Sequence, residues 1–324
     1  MDTMMAAYID ALGPADSIKY GELPVPAPGP TDVLVEVEAT VVDPVDTFVR
    51  SGRFATETPF PFVIGRDLVG TVVRTGEGAP YEVGDRVWCN SLGHGGRQGT
   101  FSTYAVVPTD RLYPLPSGVD PVTAVAVAHP AGTAYLAWFV HGGLRAGQTV
   151  YVGGGAGNVG RAALAMAKQA GAYAVVSCSA ADRDDCVAAG ADAVLDFRDH
   201  DLAGALASAA PDGFDIYWDT SGRQALDAAV DAVATGGRVL VTAARGSDHR
   251  LPAAFYTRDI SVRGFAISRA PASQLAAAAR GLNRLLSGGL LDTRIADELP
   301  LSAAAQAHAR IEQGDVRGRL IVRP

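Results

Sequence analysis

The sequence predicts an α/β protein in which a β-rich part and a doubly wound parallel sheet share one chain. Three observations carry this prediction. From Thr149 onward, short apolar runs alternate with helical patterns, as parallel strands joined by crossover helices do. The first hundred residues instead alternate apolar with polar positions, the texture of half-buried strands. At the start of the alternating region, Val150-Tyr151-Val152 runs into a cluster of glycines, of which Gly155, Gly157 and Gly160 have G-x-G-x-x-G spacing. With 324 residues, the chain has room for about two domains.

Taken in order, the β-rich part opens with an extended connection marked by Pro24, Pro26, Pro28 and Pro30. Val33, Val35 and Val37 then alternate with Leu34, Glu36 and Glu38 as a strand. Further strands are predicted at Val69–Val73, Arg86–Trp88 and Phe101–Val107, the first two entered through Gly65 and Gly84. Near Asp120 the texture changes. Residues 121–140 read as Ala-rich helices interrupted at Gly132 and Thr133. The alternating series follows. Strands are predicted at Thr149–Val152, Ala174–Ser177, Ala193–Leu195, Phe214–Trp218, Arg238–Thr242 and Ile260–Phe265. Helices are predicted at Ala162–Ala170, Arg183–Ala189, Leu202–Ala209 and Leu226–Val233. The tail reads as helices at Ala272–Leu286 and Ala303–Gln313 and a last strand, Arg319–Val322.

Composition narrows the function classes. Hydrophobic residues make up 48% and charged residues 19%, which is enough for a sizeable core. The net charge is −8 and no basic stripe occurs, so neither nucleic acid nor an anionic membrane is the expected partner. Cys89, Cys178 and Cys186 form no pair spacing, which suits a reducing cytosol, and a cytoplasmic protein is expected. The first residues lack the features of a secretory signal, and no apolar run is long enough to span a membrane.

Strand, glycine turn and helix together are the context in which G-x-G-x-x-G binds a dinucleotide. The early glycines let backbone N–H groups approach a pyrophosphate, and the last permits close packing of helix on sheet. The helix N-terminus adds partial positive charge. Gly155, Ala156, Gly157, Asn158, Val159 and Gly160 are therefore candidate cofactor residues. An acidic residue that would accept a ribose 2′-OH is expected about 20 residues further on. That place holds Ser177, Cys178 and Ser179, with no carboxylate before Asp182 and with Arg183 next. Ser177, Ser179 and Arg183 suit a 2′-phosphate, so NADPH is the expected cofactor.

Several segments then match one family. Asp43-Pro44-Val45-Asp46-Thr47-Phe48-Val49-Arg50-Ser51-Gly52 resembles N-P-V-D-x-Y-x-R-x-G, and Phe62 to Gly70 resembles a P-x-x-x-G-x-D-x-x-G turn. Gly84-Asp85-Arg86-Val87, Gly132-Thr133-Ala134-Tyr135, the glycine turn, Gly190-Ala191-Asp192 and Gly318-Arg319-Leu320-Ile321-Val322 follow in order. On these the chain resembles the medium-chain dehydrogenase/reductase superfamily, in its zinc-free, zeta-crystallin-like quinone oxidoreductase branch. The resemblance implies a GroES-like domain made by residues 1–120 and 257–324, with a Rossmann domain at 121–256. It places cofactor and substrate in the cleft between the two. It also implies a homodimer, or a tetramer, paired through Ser261–Ile267.

For the site, the resemblance puts Thr133 near the nicotinamide, Gly157, Asn158 and Val159 along the pyrophosphate, Phe197 by the adenine and Thr220 on the ribose side. Asp43 stands where the branch has asparagine. Its carboxylate can accept a hydrogen bond near the nicotinamide ribose but can donate one only when protonated. Phe48 and Phe54 replace tyrosines and would wall the substrate cleft, leaving no phenol there as proton donor. Zinc-dependent relatives carry Cys or His near Asp43, Gly-His-Glu in place of Gly65-Arg66-Asp67, and a four-cysteine lobe. None of these is present, and no metal is expected. His94 and Arg97 lie in a Gly-rich stretch read as a solvated loop, and His129 and His308 read as structural. The expected activity is NADPH-dependent reduction of a quinone or another conjugated carbonyl. Alternatives are enoyl reduction of a polyketide-type or thioester substrate, and an NADPH-binding sensor or structural protein with little catalysis.

Overall fold

The structure, a computed structural model, describes residues 3–243 and 252–324. It divides into two compact units, Met1–His129 with Pro271–Pro324, and Pro130–Ala270.

The first unit begins with β1 (Thr3–Ile9), β2 (Lys19–Pro24) and β3 (Asp32–Val41), then a short helix, α1 (Pro44–Arg50). Next come β4 (Phe62–Val63), β5 (Asp67–Thr75), β6 (Arg86–Cys89), β7 (Tyr104–Pro108) and β8 (Tyr113–Pro114). β3 is the spine: it pairs antiparallel with β5 and with β7. Its valines Val33, Val35 and Val37 are buried with Leu68, Val72 and Val87 in one core. β1 pairs with β2 and with β4 in a second, smaller sheet. The predicted strands at Val33–Val37, Val69–Val73 and Arg86–Trp88 fall inside β3, β5 and β6, and Phe101–Val107 overlaps β7 but begins before it, whereas β1, β2 and α1 lie where no element was expected.

A helix, α2 (Pro121–Tyr135), runs on into a π-helical segment, Leu136–Gly142, that ends at left-handed Gly143. The expected interruption at Gly132 and Thr133 does not occur. Burial of Ala124, Val125, Ala128, Ala131 and Ala134 outweighs the weak helix propensity there.

The second unit is the parallel sheet. In chain order it contains β9 (Thr149–Gly153), α3 (Asn158–Gln169), β10 (Tyr173–Cys178), α4 (Arg183–Ala188) and β11 (Ala193–Asp196). It continues with α5 (Leu202–Ala209), β12 (Phe214–Asp219), α6 (Leu226–Ala232), β13 (Val233–Val241), α7 (Ala254–Thr257) and β14 (Ser261–Gly264). Among the described residues the strands lie in the order β11-β10-β9-β12-β13-β14, all parallel. This is the doubly wound arrangement, whose chain reversal beside the first strand creates a ligand crevice at the strands' carboxyl ends. Local chemistry fixes the pieces. Asp201 caps α5 by accepting from Gly204 N at 3.0 Å. Left-handed Gly171 follows α3. Trp138 donates to the Ala163 carbonyl of α3 at 2.9 Å and meets Trp218 edge-on.

The chain then returns to the first unit through α8 (Ala272–Ser287), β15 (Ile295–Pro300), α9 (Ala304–Gln313) and β16 (Arg319–Arg323). β16 pairs with β3. The units divide later than the sequence breaks at Asp120 and Tyr256. Asn90 and Asp67 hold the Ala128 carbonyl and the His129 N–H in the first unit, and β14 continues the second unit's sheet beyond Tyr256.

Candidate functional site

The glycine turn between β9 and α3 is shaped by its own packing. Gly154 has a φ of 76°, a conformation side chains resist. The N–H groups of Gly154 and Gly155 both donate to the Ser177 carbonyl at 3.0 Å, which ties the turn to β10. A Cβ at Gly160 would lie 2.2 Å from the Gly154 oxygen, and one at Gly155 would lie 2.8 Å from Val176. Both positions therefore require glycine. Gly157 differs, since a Cβ there would meet only the Gly154 oxygen, at 3.2 Å. It caps α3 with extended backbone and precedes the helix's first N–H groups. The expected residues Ala156, Asn158 and Val159 complete this turn. Backbone donors at a helix start, kept clear of side chains, fit the pyrophosphate of a dinucleotide.

In front of the turn lies a cavity of about 320 Å³. Gly154, Ala156 and Gly157 form one side of it, Ser177, Ser179 and Asp182 another, and Phe197, Ser221, Arg223 and Gln224 complete it. The sequence-predicted residues reach it unequally. Ser177 is buried, and its hydroxyl is 2.6 Å from the Tyr151 hydroxyl, which also accepts from Gln224 Nε2 at 2.5 Å. Ser179 donates to Asp182 at 2.6 Å. Phe197 is 40% exposed, open enough to meet a ring, with the Arg198 guanidinium 5.1 Å from its own. Thr220 turns back to β9, donating to the Gly153 carbonyl at 2.7 Å. Arg183 is not at this wall; its Nη1 donates to the Val194 carbonyl at 2.8 Å. Among the described residues lining the cavity, the cation is Arg223. Asp219 builds its loop: Oδ1 accepts from Ser221 N at 3.0 Å, and Oδ2 accepts from Arg223 N at 2.8 Å and Gln224 N at 2.9 Å. Cys178 also lines the cavity, and burial pushes the neighbouring Cys186 thiol up to about 12, so that thiol is not a thiolate.

The first unit holds a different construction around Asp43. Asp43, Asp46, Asp67, Arg66 and Arg319 are all buried. Arg319 Nη2 donates to Asp43 Oδ1 at 2.7 Å, and Asp43 N donates to Asp46 Oδ2 at 2.8 Å. Asp67 Oδ2 accepts from the His129 N–H at 3.1 Å, while His129 Nδ1 stands 3.6 Å from Asp67 Oδ1 and 3.9 Å from Asp43 Oδ2. Arg66 Nε lies 3.7 Å from Asp46 Oδ1. Burial alone would raise Asp43, but the charges of Arg319 and His129 and the Arg319 hydrogen bond hold its carboxyl below the usual range. Burial and the Asp43 charge push Asp46 up to about 8 and Asp67 up to about 6. Burial would lower His129, yet Asp43 and Asp67 push it up. Donor atoms of Asp43, Asp67 and His129 lie within 4.8 Å of one another, close enough for a cation. The positive charge beside Asp43, however, is already supplied by a guanidinium.

The other expected catalytic residues are placed as follows. Phe48 and Phe54 are half-buried, with the Arg53 and Arg66 guanidinium carbons 4.5 Å and 5.6 Å from their rings. Phe54 packs against the core that contains Phe62 and Phe101. Thr133 is buried inside α2. His94 is not in a solvated loop: it is buried, 3.2 Å from Arg66 Nη1 through its Nδ1. Sequence reading missed Arg223, Arg66, Arg319 and His129 as partners. In the sequence Arg319 is visible only as part of a strand motif, and Arg223 stands three residues after Thr220 with no motif of its own.

The comparisons with known proteins agree with this architecture. The family model described as "Alcohol dehydrogenase GroES-like domain" matches residues 29–117, and the one described as "Zinc-binding dehydrogenase" matches residues 158–282. The chain belongs to the medium-chain dehydrogenase/reductase superfamily and is an oxidoreductase. Within it, the chain is 29% identical to the quinone oxidoreductase of Rattus norvegicus over 312 residues, covering 95% of this chain and 94% of that protein. A solved structure titled NAD-dependent alcohol dehydrogenase is similar at TM-score 0.89 and 28% identity, covering 99% of this chain and 100% of that one. Mycobacterial Rv1454c, solved in complex with NADPH, shares the fold at TM-score 0.86 and 24% identity, covering 99% of this chain and 100% of that one.

Proposed function

We propose that the chain is an NADPH-dependent, zinc-independent reductase that passes hydride to a quinone or another conjugated carbonyl compound. The reading of metal independence is carried by the Arg319–Asp43 contact at 2.7 Å, which gives the buried carboxylate a permanent cationic partner among the protein's own side chains. The quinone class follows the full-length likeness to quinone oxidoreductases. When bound, the nicotinamide supplies the hydride. This chain's part is to hold and orient. The turn from Gly154 to Gly157 and the first turn of α3, with Asn158 and Val159, would meet the pyrophosphate. Phe197 would lie by the adenine, Thr220 by a ribose and Thr133 by the nicotinamide. Phe48 and Phe54 offer apolar surface and no ionisable proton, so the developing oxyanion would be protonated from water. β14, at the end of the sheet order, is where a second copy would pair.

The test follows nicotinamide absorbance across a panel of quinones, enones and enoyl thioesters, with and without a strong chelator. Turnover of quinones with NADPH, unchanged by the chelator, supports the proposal. A clear preference for enoyl thioesters favours the enoyl reductase reading. Tight cofactor binding without oxidation by any member of the panel favours a sensor. Activity abolished by the chelator and restored by zinc overturns metal independence.

A further inference from the structure

We propose that Arg223, and not Arg183, is the specificity-determining residue that takes the cofactor's 2′-phosphate, with Asp219 as its positioning residue; this rests on the NADPH reading above. Three observations point the same way. First, Arg223 lines the cavity in front of the glycine turn together with Ser177, Ser179 and Ser221, and Arg183 does not. Second, the two guanidiniums are differently committed. Arg183 Nη1 already donates to the Val194 carbonyl at 2.8 Å, whereas among the described residues only the backbone N–H of Arg223 is engaged, and its guanidinium carries no hydrogen bond or ion pair. An uncommitted planar fork beside a cavity can meet a phosphate through two parallel N–H donors.

Third, a carboxylate, Asp182, stands next to Arg183. It lines the cavity and accepts from Ser179 Oγ at 2.6 Å, and it immediately precedes Arg183 in the chain. A dianion held beside Asp182 would be repelled by it, so Arg223 is the favoured partner. The loop of Arg223 is also well braced. The backbone that carries Arg223 is fixed by Asp219, whose Oδ2 takes two successive N–H groups at 2.8 and 2.9 Å and whose Oδ1 takes the Ser221 hydroxyl at 2.6 Å. Asp219 touches no ligand in this arrangement and acts through the loop.

Binding of two cofactor fragments, adenosine 2′,5′-bisphosphate and 5′-AMP, tests this by titration calorimetry without any turnover. Arg223→Ala is expected to weaken the bisphosphate on the order of 10- to 100-fold and 5′-AMP by less than about 3-fold. Arg183→Ala should leave both fragments within about 3-fold of wild type, and Asp182→Asn should tighten only the bisphosphate. Asp219→Asn should lower bisphosphate affinity, and Arg223→Lys should recover part of what Arg223→Ala loses. A selective loss in Arg183→Ala, or an equal loss of both fragments in Arg223→Ala, overturns the assignment to Arg223. A wild-type protein that binds the two fragments equally overturns the NADPH reading itself, whatever the variants do.

Discussion

The glycine turn of the second unit and the Asp43 cluster of the first are both places where charge is managed, and they manage it by opposite means. The turn uses backbone. Its N–H groups come from consecutive residues, its glycines are imposed by contacts as short as 2.2 Å, and the cavity before it is bounded by hydroxyls. The cluster uses side chains. Asp43, Asp46, Arg66, Asp67 and Arg319 come from separate parts of the chain and are packed where water cannot screen them, with the half-buried His129 beside them. A backbone site presents fixed partial charges, and substitution at its rim costs the stability of the fold little. A buried ionic cluster is balanced only while every member is present, since each removal strands a charge. The cluster should therefore be the fragile region and the cavity the tolerant one.

The largest effect is expected at Arg319. Its Nη2 sits 2.7 Å from Asp43 Oδ1, and both groups are buried. Arg319→Ala leaves the Asp43 carboxylate without its closest counter-charge and should cost about 3–5 kcal/mol of unfolding free energy. Urea unfolding measures this. The paired variant Asp43→Asn with Arg319→Met should recover most of the loss, because an uncharged pair has no stranded ion. A single variant that loses less than about 1 kcal/mol would erase the contrast between the two regions.

The same contrast explains what was legible in the sequence. The turn and the alternation behind it are local. Gly155, Gly157 and Gly160 declare themselves by spacing, and helix Leu202–Ala209 and strand Ala193–Asp196 follow from short-range periodicity. The cluster is not local. Nothing near Asp43 announces that Arg319 will lie against it, and His129 sits in an apolar Ala-rich run. β1 and β2 escaped for a related reason. Their register, with Met4 opposite Leu23, is set by cross-strand pairing and not by an alternating pattern in either strand. Even within the cavity, spacing favoured Arg183, while a long-range hydrogen bond to Val194 decided where that side chain goes.

A second effect, of intermediate size, is a pH dependence confined to the cluster. Asp46 is pushed from an ordinary 3.8 up to about 8 and Asp67 up to about 6, chiefly by burial and then by the Asp43 charge. A raised carboxyl keeps its proton in the fold after the unfolded chain has lost it. Its contribution is full below pH 3.8 and is lost as pH rises through the folded value. His129, also raised, acts in the same direction at higher pH. Asp43 is held low and acts oppositely, losing its contribution only as pH falls below its ordinary value. Stability should therefore decline from about pH 5 to about pH 9. Asp46→Asn, a neutral isostere, should flatten the upper part of that decline. Urea midpoints across the range test this, and parallel curves for wild type and variant would show that Asp46 does not hold its proton.

The smallest effect tests the tolerant side. Ser177 lines the cavity, and its place at the end of β10 suggests a ligand contact, yet its hydroxyl is 2.6 Å from that of Tyr151 in a buried pair. Tyr151 also accepts from Gln224 Nε2, so Ser177→Ala removes one member of a network whose other contact survives. The loss should be about 1 kcal/mol of stability, the usual value for one buried hydrogen bond. Binding of adenosine 2′,5′-bisphosphate should stay within about 2-fold, because the hydroxyl supports the wall of the cavity and does not face a phosphate. Tyr151→Phe should cost somewhat more, since it removes the partner of both Ser177 and Gln224 and leaves Gln224 Nε2 to find another acceptor. A selective loss of bisphosphate binding in Ser177→Ala would instead mean that the hydroxyl turns outward to the ligand and shares the 2′-phosphate with Arg223.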